Sequence, residues 1–116
     1  MSTFSRVLLS GSTNGRPIKI TTTSSPGDTI HTAVSSTSSW DEIWLWCVNT
    51  DTSPIKLTVQ WGGTSSPDDS IEQTIPPESG LFLVSPGLNL NNSLVVKAFA
   101  ATANLLTISG YANRIT

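Results

Sequence analysis

Prolines punctuate this chain so regularly that a helical fold has little room. Pro17, Pro26, Pro54, Pro67, Pro76, Pro77 and Pro86 stand mostly 9 to 13 residues apart, with one wide gap, and a proline inside a helix removes a hydrogen bond and clashes with the preceding turn. Few windows long enough for three helical turns survive. Ser and Thr make up 34 of the 116 residues, and they suit half-buried strands and turns better than helix interiors. The chain reads as all-β.

Alternating hydrophobicity places the strands at Arg6–Ser10, through Ile18 and Ile20, and at Thr29–Val34, Asp41–Thr50, Ile55–Trp61, Ser70–Ile75, Leu81–Val84, Ser93–Ala100 and Leu105–Asn113. Turn residues separate them, among them Asn14-Gly15 and Ser25-Pro26-Gly27-Asp28. Asp51-Thr52-Ser53-Pro54 predicts a hairpin between Asp41–Thr50 and Ile55–Trp61. In the second of these strands Ile55, Leu57, Val59 and Trp61 should face the core, and Lys56, Thr58 and Gln60 the solvent. The alanines between Ala98 and Leu106 would also suit a helical turn. About eight or nine short strands need two layers to bury their apolar faces. The expectation is a single-domain antiparallel β-sandwich over residues 1–116, jelly-roll or immunoglobulin-like, with residues 1–10 as an arm or first strand; barrel closure is the alternative.

Charge excludes some functions. Six Lys and Arg stand against eight Asp and Glu, a formal charge of −2, so the basic excess behind non-specific nucleic-acid affinity is missing. No nucleic-acid partner is expected. Leu94–Ala101 is the longest mostly apolar stretch and contains Lys97, far short of the roughly 20 residues of a membrane helix. Val7-Leu8-Leu9 is too short for a signal-peptide core of about 7–15 residues. The expectation is a soluble product made in a cytoplasm, with no membrane partner.

Asp41–Asn49 departs from simple alternation. Ile43, Leu45 and Cys47 share one face, and Trp44, Trp46 and Val48 share the other. A two-layer sandwich covers only one face of each sheet, so a loop, a terminus or another molecule must meet the second. Each indole taken out of water contributes on the order of 3–5 kcal/mol. Three arrangements would cover the tryptophans: the N-terminal arm or the Ser35–Trp40 loop folded across them, a subunit or partner contact, or a stacked sugar.

No constellation suggests a reaction. His31 is the only histidine, without a Gly-x-Ser-x-Gly elbow, and reads as a half-exposed strand residue. Cys47 is the only cysteine, so it can form no intrachain disulfide, and its apolar neighbours suggest an inert buried thiol. Asp68, Asp69 and Glu72 lack the ordered pattern of a calcium loop and read as a solvated surface. Asp41 and Glu42 are adjacent in a strand and point oppositely, which excludes a facing glycosidase pair; they read as charges guarding the strand end. Gly62-Gly63 lacks the following helix and Lys of a phosphate loop. The expectation is a non-enzymatic protein with no cofactor and no metal.

Gly27–Ala33, Trp40–Asn49, Ile55–Gly63, Ile75–Leu81, Pro86-Gly87, Val95–Ala100 and Gly110–Ile115 together resemble small virion proteins of tailed bacteriophages. The resemblance spans nearly the whole chain and rests on fold-forming positions. It implies a β-sandwich that decorates or cements the capsid surface by binding the major capsid protein, often as a homotrimer at a symmetry axis. Neck or tail placement is the alternative within that group. On this reading Trp44 and Trp46, with Val48 beside them at the interface, form either the trimer contact or the covered base of the sandwich, and the Ser2–Ser10 arm with Phe4 and Arg6 and the Gly62–Ser70 loop with Asp68 and Asp69 are the candidate shell contacts. A carbohydrate-binding module is the rival, and an enzyme a distant third.

Overall fold

Nine strands and no helix form within residues 2–116, which the computed structural model describes; Met1, the first residue of the expected domain and arm, lies outside them. The strands are β1 (Phe4–Leu8), β2 (Ile18–Lys19), β3 (Asp28–Thr32), β4 (Trp40–Asn49), β5 (Ile55–Trp61), β6 (Ser70–Ile75), β7 (Phe82–Leu90), β8 (Val95–Ala100) and β9 (Leu106–Ile115). They divide into a five-stranded sheet ordered β1-β9-β4-β7, with β2 also on β9, and a four-stranded sheet ordered β3-β8-β5-β6. Every pairing is antiparallel. After β8 the chain turns without forming a helix.

The pairings are nested. β1 meets β9, β3 meets β8, β4 meets β7 and β5 meets β6, as though one long hairpin had been rolled into two layers. That is jelly-roll order, which selects between the two sandwiches expected. The inward residues of the two sheets form one core, including Ile43, Leu45 and Cys47 of β4, Leu57 and Val59 of β5, Val96 and Ala98 of β8, and Ile108 and Ala112 of β9.

Nesting overturns the expected β4–β5 hairpin, since these strands lie in opposite sheets. Each carries one strongly apolar face, and the two faces meet across the core instead of lying side by side. Asn49 fixes the crossing: its Nδ2 donates to the carbonyls of Ser53 (2.9 Å) and Ile75 (3.0 Å), and its Oδ1 accepts from the Asp51 amide (2.9 Å). The outward face of β5 is also drier than alternation suggests. Gln60 is buried because the Ser25–Gly27 turn folds over it, with Gly27 N–H donating to Oε1 and Nε2 donating to Ser25 Oγ.

β7 runs past Pro86 to Leu90, where sequence reading stops it at Val84. It is an edge strand with two register shifts against β4, and edges and bulges are where a sheet tolerates proline.

Candidate interaction face on the five-stranded sheet

Among the described residues two side-chain arrangements stand out, one closed and one open to a partner. The closed one lies between the sheets. Asp41, fully buried, accepts from Arg114 Nε (2.8 Å) and Nη2 (2.9 Å), from the Val34 amide (3.3 Å) and from His31 Nε2 (2.8 Å). His31 Nδ1 accepts the Ser10 amide at 3.0 Å, so the ring carries its proton on Nε2. Burial alone would raise the Asp41 pKa, but the hydrogen bonds from Arg114 and His31 and the Arg114 charge outweigh it and hold the carboxyl below the ordinary aspartate range. The same carboxylate pushes the Arg114 pKa up.

This network corrects two expectations. His31 is buried, not half-exposed: a bulge at Ile30 shifts the β3 alternation by one and turns both Ile30 and His31 inward. Asp41 guards no edge, because β4 pairs on both sides, with β9 and β7. The groups tie β3, β4 and β9 together through residues far apart in sequence. Cys47 is buried as expected, and burial pushes its thiol up to about 12.

The open arrangement is the outer face of the five-stranded sheet. The indoles of Trp44 and Trp46 stack with centroids 6.0 Å apart and planes 19° from parallel. Trp46 lies 6.0 Å from the Tyr111 ring, and the Arg6 guanidinium sits 4.3 Å from the Tyr111 centroid on its far side. At the other end the Trp44 indole lies over Gly87, where a Cβ would approach its ring atoms to 3.1 Å. A continuous row therefore crosses four strands, from Gly87 through Trp44, Trp46 and Tyr111 to Arg6. The rings remain half-buried. Neither candidate cover lies across them: the N-terminal arm is β1, paired beside β9, and Asn91 Nδ2 ties the Ser35–Trp40 loop to the end of β7 through the carbonyls of Thr37 and Ser39.

Strand register arranges the rest of this face in transverse rows. Phe4, Ile115 and Trp40 form one; Arg6, Asn113, Glu42 and Asn89 the next; Leu8, Tyr111, Trp44 and Pro86 the third; Ser109, Trp46 and Leu83 the fourth. Phe4 is 71% exposed, Leu8 57% and Leu83 46%, so the apolar surface continues on both flanks of the stacked rings. The outer face of the other sheet differs. It carries an exposed Lys56–Glu72 ion pair and the Ser25–Gly27 cover.

The structure thus brings Phe4, Arg6, Trp44, Trp46 and Val48 onto one surface. Asp68 and Asp69 lie apart from it, in the β5–β6 loop. Asp68 is exposed, whereas the Asp69 carboxylate turns back to accept the Ser65 amide at 3.0 Å. Tyr111, central to the row, carries no signal of contact in the sequence, because only the β4–β9 pairing sets it opposite Trp44. At the Trp40 end of this face a shallow depression of about 330 Å³ is lined by Trp40, Asn89, Leu90 and Asn91. Among the described residues no group of three or more His, Cys, Asp or Glu is placed to hold a metal ion.

No protein-family model, curated protein or solved structure matches the chain.

Proposed function

We propose that this protein is a non-enzymatic structural component of a phage virion, a decoration or cement protein that associates with copies of itself and with the major capsid protein at the capsid surface. The observation that carries the assembly part of this reading is the half-exposed aromatic row on the outer sheet, flanked by exposed Phe4, Leu8 and Leu83. Apolar surface of this extent on a small domain marks a contact. The partner class rests on the resemblance of the strand and turn segments to small tailed-phage virion proteins. The jelly roll adds only fold-level analogy, since it serves capsid and lectin domains alike.

Ring orientation favours assembly over sugar binding. A sugar stacks on the flat face of an indole, but here Trp44 and Trp46 turn faces to each other and Tyr111 turns one to Arg6. What remains for a partner is ring edges and aliphatic flanks, a surface suited to interdigitating protein side chains. The carbohydrate reading retains one specific foothold, Trp40 beside Asn89 and Asn91 in the shallow depression.

A cement protein stabilises a shell because it binds the assembled lattice better than free subunits. The test is co-sedimentation with expanded shells of the major capsid protein from the phage that encodes the chain. The expected result is saturable pelleting with shells, no complex with unassembled subunits, and a higher melting temperature for decorated shells. Absence of pelleting overturns the capsid reading, and glycan-array binding abolished by Trp40→Ala would replace it with the sugar-binding one.

A further inference from the structure

We infer that the outer face of the five-stranded sheet is its own partner: two copies pack this face together about a two-fold axis running along β9. The inference rests on the assembly reading of the face and names the occupant. It follows from the strand register. Arg6 on β1 and Glu42 on β4 lie in one transverse row, one on each side of Asn113 on β9. Neighbouring strands are about 4.8 Å apart, so the two charges flank β9 at nearly equal distances. Neither Arg6 nor Glu42 makes an ion pair among the described residues.

A two-fold rotation about β9 maps β1 of one copy onto β4 of the other. Arg6 then faces Glu42 of the second copy, and Glu42 faces its Arg6, so one operation creates two ion pairs. The neighbouring rows bring apolar and aromatic side chains together. Leu8 meets Trp44, Phe4 meets Trp40, and the two Tyr111 rings meet at the axis. An isologous contact needs a patch that matches its own rotated copy, and this face provides that in charge, with apolar rows on either side. The three strands that overlap, β1, β9 and β4, lie about 4.8 Å apart, and with the roughly 27 Å from Trp40 to Val48 they give a footprint of about 390 Å² per copy. Two copies therefore cover about 800 Å², the size of a weak, transient contact. A concentration-dependent dimer follows.

Sedimentation velocity over a wide concentration range tests this with the whole chain and three variants, each checked for native β circular dichroism. Wild type should pass from monomer to dimer. Arg6→Glu alone and Glu42→Arg alone each place like charges at both symmetric contacts and should weaken dimerisation by about tenfold or more. Combining Arg6→Glu with Glu42→Arg should restore it to near the wild-type constant. A strict monomer, a trimer, or a double variant no better than the singles overturns the pairing. Shell pelleting keeps the two proposals distinct: monomeric single variants that still decorate shells would leave the function standing without the dimer, and a dimer that ignores shells would do the reverse.

Discussion

Replacing Asp41 with Asn tests whether the buried network holds the two sheets together. The carboxylate accepts two bonds from Arg114, one from His31 and one from the Val34 amide. An amide of the same shape keeps one oxygen, which can still serve His31 Nε2 and Val34, both of which bond to Oδ2. Its NH2 group then faces Arg114 Nε, donor against donor, without a balancing charge. Breaking a buried ion pair from one side costs about 3–5 kcal/mol. The Arg114 side chain is 30% exposed and can recover some water, which places the cost near the lower figure. For 116 residues the unfolding entropy is about 0.24 kcal/mol/K, so a loss of ~3 kcal/mol lowers Tm by about 12 °C. The sign of the pH effect follows from the lowered pKa. Native Asp41 holds its proton less tightly than the unfolded chain does, so its contribution is present above the ordinary aspartate range and is lost as pH falls through and below it. Calorimetry from pH 7 to pH 2 should show wild type losing stability on the acid side and Asp41→Asn starting lower with a shallower acid slope. A Tm drop under about 4 °C, or an unchanged acid slope, would refute the assignment.

Other positions give sharper local outcomes. Gly110→Ala should destabilise by at least ~3 kcal/mol in thermal melts, because a Cβ there would overlap the Trp44 carbonyl and backbone must move. Gln60→Ala should cost about 1–2 kcal/mol by urea titration, since it strands the Gly27 amide and frees the turn that covers β5. Cys47, buried and pushed up to about 12, should react with a thiol reagent only at the global unfolding rate, and stability should fall as pH rises from the ordinary thiol range toward 12.

Local pattern reaches further into this fold than partnership does. The two-faced apolar character of β4 was visible in Ile43, Leu45 and Cys47 against Trp44, Trp46 and Val48, and most strand positions followed from alternation. Alternation states which side chains point inward, but not which strand lies opposite. Asp51–Pro54 therefore reads as a hairpin turn when it is the crossing between sheets. His31 was misplaced by a single bulge, which leaves no mark in composition. The Asp41 network joins residues 10 and 73 positions away, beyond any spacing rule. Tyr111 became part of the outer face only when β9 took its place between β1 and β4.

Hydroxyl-radical footprinting of the indole and phenol side chains tests most directly whether the aromatic row is covered in the assembled protein, by comparing dilute protein with concentrated and shell-bound protein. The account predicts that Trp44, Trp46 and Tyr111 lose reactivity on assembly, while Trp61, on the other sheet, does not change. Equal reactivity of the row in all three states would contradict it.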